Sequence, residues 1–392
     1  MKSLKYNASN INTIKFENNR TIFNCIRYRP MSRAEISKIT GLSKSAVTVI
    51  TKQLIDEGSL KEIGTESISY GRHPIVLDIV ENHKFAIGMQ LSRTKVSVCI
   101  STLKLNCLKS EEKSMSDFTT PESVLDWAYS SSRNMIKELK LPIEDCLGIG
   151  IAAPGPIASS KGIILTPSNF EMFHNFNVKE HLAQYTDMPI FIHNDTWDLA
   201  MYEIAKRRPE IKHFIYVLID NGVGSAIVQN GSIRRGASGY AGEMGHTTVD
   251  INGPDCKCGN NGCLEGYVTE KAICSRYGVE SYKSVVDKAY KGDTKAIEII
   301  DDIAKYLSAG ILNAINLVDT EAVIITGELN YRSELLFSKL KERINNRAAA
   351  KKKHGIDVIE SVYSANKNLA FTAANIVDKH FNQWIKQYGN NT

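Results

Sequence analysis

Long apolar runs are missing from this chain. None of its 392 residues falls in a stretch of 18 or more consecutive apolar positions, which excludes a membrane-spanning helix. The opening segment, residues 1–10, is polar and lacks the apolar core of a secretory signal, so a cytoplasmic protein is expected. Cysteine is scarce as well: eight in all, too few in so long a chain for a disulfide-stapled secreted scaffold. Cys25, Cys99, Cys107, Cys146 and Cys274 are scattered, mostly among apolar neighbours, and read as small core residues. Cys256, Cys258 and Cys263 instead cluster between glycines and an asparagine pair, and read as metal ligands. Neither sign of charge is in excess over most of the chain. The net charge is +5, and residues 1–80 carry all of it, with twelve Lys and Arg against seven Asp and Glu. A basic module on a neutral body is the footprint of a small DNA-binding head, although a merely solvated basic surface has the same balance. The length calls for two or three domains, and 43% hydrophobic with 23% charged residues is ordinary for a globular protein.

Residues 12–27 place Ile14, Ile22, Phe23 and Ile26 at loosely helical spacing, and Pro30 stops that helix. Ser32-Arg33-Ala34-Glu35 then has the form of a capping box. A short helix follows to Ile39, with Ile36 and Ile39 inward, and Gly41 makes the turn by taking a left-handed conformation. Ser43 caps a second helix running to about Glu57, whose buried stripe is Val47, Ile50 and Leu54. Its outward positions Lys44, Ser45, Thr48 and Lys52 are small or cationic donors, and Arg33 lies nearby. A helix-turn-helix needs this arrangement, because its second helix enters the major groove N-terminus first. Residues 60–63 and 75–79 read as strands around a polar loop, a wing whose tip carries Arg72, suited to a narrow A·T-rich minor groove. The same elements also describe a helical hairpin and β-hairpin used for protein contacts.

Beyond Phe85 strands and helices alternate. Residues 85–100 read as a hairpin, 121–140 as a helix, and 146–152 as an apolar strand ending in Ala153-Pro154-Gly155-Pro156. A strand at 189–193 carries Asn194 and Asp195 at its carboxyl end, where α/β proteins place ligand-handling groups. A further strand at 213–219 leads into Asp220-Asn221-Gly222-Val223-Gly224-Ser225. Residues 303–316 read as a helix at a lobe junction, and residues 368–386 as a final helix returning to the first lobe.

The run from Gly236 to His246, GASGYAGEMGH, followed by Cys256 to Glu265, CKCGNNGCLE, resembles the signature of the ROK family (repressors, uncharacterised reading frames and kinases). The head, with Asn12, Asn19-Arg20 and Gly71-Arg72, resembles that of the family's repressor branch, of the xylose and N-acetylglucosamine kind. His246, Cys256, Cys258 and Cys263 follow the spacing H-x9-C-x-C-x4-C, and three thiolates with one imidazole make a closed structural zinc site. The resemblance implies that Asn194, Asp195, Glu243, His246 and Glu265, with Ser168 and Asn169, bind sugar hydroxyls; His246 would then serve both zinc and sugar. For Asn194-Asp195 taken alone, a helix N-cap explains the pair equally well.

Family kinases hold ATP phosphates through a hairpin of the form Asp-x-Gly-Gly-Thr-Lys. Here the matching residues are Gln90-Leu91-Ser92-Arg93-Thr94-Lys95, with a neutral residue for the acid and side chains on both glycine positions. Glycines let backbone amides approach phosphate, and Ser92 and Arg93 obstruct that. Asp220-Asn221 stands where Gly-Thr is usual, and Gly327-Glu328-Leu329 and Thr372-Ala373-Ala374 depart from Gly-Gly and Gly-Ala-Ala. Asp195, the family's catalytic base, remains as a vestige that can serve sugar binding alone.

The expectation is therefore an α/β protein. A winged helix-turn-helix (residues 1–80) precedes a two-lobed, ribonuclease-H-like sugar-kinase-like domain (84–392), with lobe one at about 84–195 plus 368–392 and lobe two at about 196–367. It is not an enzyme but a repressor whose grip on operator DNA responds to a sugar held in the cleft between the lobes. It acts as a homodimer or a dimer of dimers, without a membrane. The alternative is an active ATP-dependent sugar kinase with a regulatory DNA-binding head.

Overall fold

The computed structural model describes residues 18–380 except 20, 24, 28, 57, 66–73, 208–210, 238–239, 348–354 and 364–367. The chain divides into two compact units, residues 1–210 with 368–392, and residues 211–367. The wing tip with Arg72, the residues Asn12 and Arg20, and the last turns of the expected final helix lie outside the described residues.

At the start of the first unit, residues 18–27 are helical where described, and Ile22, Phe23 and Ile26 are fully buried. The strand β1 (Met31–Ser32) follows, then α1 (Arg33–Thr40) and α2 (Lys44–Asp56). Ser32 Oγ accepts from the Glu35 amide at 3.3 Å, as a cap should. The other half of the expected capping box is absent: the Glu35 carboxylate is taken by Arg29, a stronger donor than the backbone. Gly41 closes α1 at φ 72°, and Ser43 Oγ caps α2 by accepting from the Ala46 amide at 3.2 Å. Val47, Ile50, Thr51 and Leu54 form the buried stripe of α2. The strands β2 (Leu60–Thr65) and β3 (Ile75–Ile79) pair antiparallel, and β1 pairs with β3 on its other side.

The rest of the first unit is built on a sheet of β4 (Phe85–Leu91), β5 (Lys95–Thr102), β6 (Cys107–Ser114), β7 (Cys146–Ala153) and, after the short strands β8 (Ile157–Ala158), β9 (Ile163–Ile164) and β10 (Phe176–Asn177), β11 (Ile190–Asn194). Its order is β11-β7-β4-β5-β6. The first three strands in sequence are antiparallel neighbours, while β7 and β11 add in parallel beside β4. Parallel addition needs a crossover, and the helix α3 (Pro121–Glu138) supplies the one before β7. The helix α4 (Val178–Leu182) precedes β11, and α5 (Asp195–Lys206) follows it. The second lobe was expected to begin at residue 196; instead α5 belongs to the first unit, and the division falls at residue 210. The chain returns there at its C-terminal side: Leu369–Ala373 forms a 3-10 turn, residues 374–380 are helical, and Phe371, Ala373, Ile376 and Val377 are buried. A Cβ on Gly88 would meet Thr372 Oγ1 at 2.0 Å, and one on Gly150 would meet the Thr372 carbonyl at 2.3 Å, so these two strand glycines make the room for that turn.

The second unit repeats the plan. Strands β12 (Phe214–Ile219), β13 (Val223–Gln229) and β14 (Ser232–Ile233) are antiparallel, and β15 (Ala322–Gly327) and β16 (Asp357–Glu360) add in parallel beside β12. The order is β14-β13-β12-β15-β16. Helices α6 (Glu265–Val268), α7 (Glu270–Tyr277), α8 (Tyr282–Ala289), α9 (Thr294–Val318) and α10 (Glu334–Asn346) surround it. The α9 helix is longer than the expected 303–316, because Asp293 accepts from the Ala296 amide at 2.9 Å and starts it earlier. Ile300, Ile303, Leu307 and Ile311 of α9 pack with Ile215, Val217 and Ile325 in this unit's core.

Candidate functional site

The metal quartet assembles in the second unit. His246 ends a short turn (Met244–His246), and its ligand atom and the sulfurs of Cys256, Cys258 and Cys263 all lie within 4.8 Å of one another. Cys256 Sγ is 3.7 Å from His246 Nδ1, and Cys258 Sγ is 3.7 Å from Cys263 Sγ. A disulfide would bring two sulfurs to about 2.05 Å. Sulfurs about 2.3 Å from a tetrahedral zinc stand about 3.8 Å apart, so the donor set and its spacing fit zinc. The loop is braced by its own backbone: the Cys256 amide donates to the Asn260 carbonyl at 2.7 Å, and Asn260 Nδ2 donates to the His246 carbonyl at 3.1 Å. Gly262 (φ 59°) is required, since a Cβ there would lie 1.7 Å from the Asp250 carbonyl.

Two residues past Cys263, Glu265 opens α6 and turns its carboxylate onto the β12–β13 turn. Its Oε2 accepts from the Val223 amide at 3.0 Å, and a Cβ on Gly222 would sit 2.8 Å from that oxygen. Burial raises the pKa of Glu243, with Glu265 adding to the rise and His246 opposing it, so the three predicted residues of this unit form one group. At the end of β15, Glu328 is lifted to about 7 by burial and by the neighbouring Asp220 carboxylate, with Glu270 adding to the rise. Asp220 occupies the same β12–β13 turn, its amide bonded to the Gly222 carbonyl at 2.9 Å.

In the first unit Asn194 caps α5, its Oδ1 accepting from the Thr196 amide at 2.9 Å, and Asp195 Oδ1 accepts from the same amide at 2.7 Å. The N-cap role is therefore real for Asn194. A Cβ on Gly155 would meet Asn194 Nδ2 at 2.4 Å, so the Pro-Gly-Pro turn after β7 is shaped around this amide. Ser168 and Asn169 form a turn, with Asn169 left-handed at φ 56°. Arg93 Nε donates to the Ser168 carbonyl at 3.0 Å, joining the β4–β5 turn to this segment. That turn is itself closed by Ser92, whose Oγ donates to the Lys95 carbonyl at 2.8 Å. Behind Asn194, and not singled out from sequence, buried His193 faces Asp198 at 3.3 Å and accepts from Asn375 at 2.9 Å.

The C-terminal end of α5 reaches the helical turn before β1. Lys206 is lowered to about 8 by burial and by Arg27 of that turn, and burial lowers Arg27 itself to about 10, with Asp378 opposing. Of the expected DNA-contacting residues, Lys44, Ser45, Thr48 and Lys52 are exposed on α2. Arg33 is tied to the head itself. It donates to Thr51 at 2.9 Å and to Glu62 at 3.1 Å, joining α1 to α2 and β2.

Comparison with known proteins places these units in context. The xylose repressor of Bacillus spizizenii is 27% identical over 370 residues, covering 92% of this chain and 94% of the relative. The N-acetylglucosamine repressor of Escherichia coli O6:H1 is 28% identical over 370 residues, covering 90% of each. A crystal structure of a ROK family transcriptional regulator, a homologue of the E. coli MLC protein, superposes with a TM-score of 0.76 over 96% of this chain and 98% of its own, at 24% identity, a likeness of fold. Residues 86–379, holding the metal quartet and both five-stranded sheets, match the ROK family, and the chain belongs to it.

Proposed function

We propose that this protein is a transcriptional repressor whose operator binding responds to a sugar. The observation that carries the reading is a capped helix-turn-helix with a β-hairpin, joined to a ROK body, in a chain similar along nine-tenths of its length to named sugar repressors. Lys44, Ser45, Thr48 and Lys52 face the major groove, Arg72 of the wing enters a minor groove, and Arg33 holds the helices in register. Two heads of a homodimer, or of a dimer of dimers, engage half-sites about 34 Å apart.

In the body, Asn194 and Asp195 with Ser168 and Asn169, and Glu243, His246 and Glu265, take sugar hydroxyls. Carboxylates and amides suit this, because they bind paired hydroxyls and lose affinity sharply when one is missing. Zinc, held by His246, Cys256, Cys258 and Cys263, would cross-link the loop that leads into Glu265. With Nδ1 of His246 turned to the thiols, its Nε2 is left for sugar. The signal has a direct route to the head. The α5 helix begins at the Asn194–Asp195 pair and ends about 18 Å away at Lys206, beside Arg27.

The protein does not phosphorylate its sugar. Ser92 fills the first phosphate turn, Arg93 spans it to Ser168, and Asp220 with Glu328 puts carboxyl groups beside the second. Each missing transition-state contact costs a kinase about 10²–10³-fold. The test has two arms. Full-length protein is offered a random-sequence duplex pool and must enrich one operator; a sugar panel, with and without ATP, is then screened for thermal shift and operator release. Sugar-dependent ADP release that vanishes in Asp195→Asn would establish the kinase alternative instead.

A further inference from the structure

Val49 is 66% exposed on α2, an unusual place for a β-branched apolar side chain. It lies nearly opposite the buried stripe of Val47, Ile50, Thr51 and Leu54, on the face that carries exposed Ser45, Thr48 and Lys52. Its neighbours offer little that reads a base edge by hydrogen bonding. The Thr48 hydroxyl already donates to the Lys44 carbonyl at 2.7 Å, leaving its methyl group to offer outward. The Ser45 hydroxyl is 3.0 Å from that of Ser43. The charge on this face is cationic, from Lys44 and Lys52, until Asp56 at the last position of the helix.

We infer that Val49, seconded by the Thr48 methyl, reads the C5-methyl groups of thymine in the major groove, so that the head recognises its operator through apolar contacts flanked by lysines. The inference rests on the DNA-binding reading above. The occupant of this face is duplex DNA rather than a second protein, because a face carrying two lysines and no acid over its first three turns complements phosphate. The thymine methyl is the one apolar group the major-groove edge of a base pair displays, and a valine at the centre of the face is the matching reader.

The test uses full-length protein and the operator it enriches from a random duplex pool. Thymines are replaced one at a time by deoxyuridine, which removes only the methyl, and affinity is measured by fluorescence anisotropy for the wild type, Val49→Ala and Thr48→Ser. In the wild type at least one replacement weakens binding about fourfold, the worth of one buried methyl. Val49→Ala loses that discrimination while keeping the wild-type thermal stability. If Val49→Ala still distinguishes thymine from deoxyuridine at every position, the inference is overturned. It is overturned equally if Val49→Ala leaves DNA binding intact and changes the oligomeric state in sedimentation, because the face then packs against another copy. Failure to enrich any sequence would remove the DNA-binding reading itself, a different result from either.

Discussion

The two units present the same turn twice. Each five-stranded sheet opens with an antiparallel hairpin, one turning at Ser92–Thr94 and the other at Asp220–Gly222, and equivalent positions have been put to opposite uses. The first turn is closed on itself by Ser92 and tied by Arg93 to the Ser168 carbonyl. The second stays open at Gly222 and receives a carboxylate, Glu265, from the end of the cysteine loop. The first turn is thus filled by its own side chains, while the second holds a carboxylate against its backbone amide.

The contrast is best broken from the metal side. On the zinc reading, Cys258→Ser would remove one of four ligands and with it the cross-link of the loop leading to Glu265. Zinc by atomic absorption should fall below one per chain, the thermal midpoint should drop by several degrees, and no sugar should shift it. Full sugar response in a zinc-free protein would separate the two roles assigned to His246. A finer cut is Gly222→Ala. Its Cβ would press on the far end of the flexible Glu265 side chain, which can swing aside by giving up its bond from the Val223 amide, with no clash against backbone. The carboxylate then leaves its place, and sugar affinity should fall about 10- to 100-fold by calorimetry, as for a lost charge-assisted hydrogen bond. Gly245→Ala makes the control: its Cβ would meet the Val223 carbonyl at 2.3 Å, so it should lower the thermal midpoint instead.

The acid pair at the second turn sharpens the comparison through pH. Glu328 titrates near 7 in the folded protein against about 4.5 ordinarily, so folding favours its protonated form. Between these values the folded state binds more protons than the unfolded one, and stability falls as pH rises through the window. Glu328→Gln is neutral throughout. Its midpoint from pH 4.5 to 7 should decline less than that of the wild type, and an unchanged slope would show that Glu328 is not the group responsible.

What could be read beforehand follows the range of the interaction. Caps and turns, set by residues within four positions, were legible: Ser32, Gly41 and Ser43 stand where expected. So was the quartet at His246, Cys256, Cys258 and Cys263, because metal spacing is local. The strand β6 escaped notice, since Cys107–Ser114 alternates half-buried with exposed residues and its lysines and glutamates mimic a loop. The two-residue strand β1 has no periodicity to detect. The ties of Arg33 to Thr51 and Glu62 had no local signal, since those partners are 18 and 29 residues away. The bond from Arg93 to Ser168 spans 75 residues, and nothing in either segment announces the other.

That bond gives the smallest expected effect and the most direct probe of the first turn. If Arg93 only obstructs phosphate, Arg93→Ala changes nothing that a sugar can sense. If it also holds the Ser168–Asn169 segment in place, removing the guanidinium frees one side of a turn that keeps a left-handed asparagine. On the other side the segment is still held by His174, whose Nε2 lies 2.9 Å from the Pro167 carbonyl, so it should loosen rather than unfold. An exposed hydrogen bond is worth about 0.5–1 kcal/mol net, and sugar affinity should weaken about two- to fivefold. Arg93→Lys should recover little of this, because a compact ammonium does not reproduce the planar N–H geometry. ATP should remain without effect on either variant, since Ser92 still closes the turn and the acid pair remains at its counterpart. A sugar affinity unchanged in Arg93→Ala would reduce the arginine to a plug, and ATP binding gained with it would show the first turn to be the sole barrier to nucleotide.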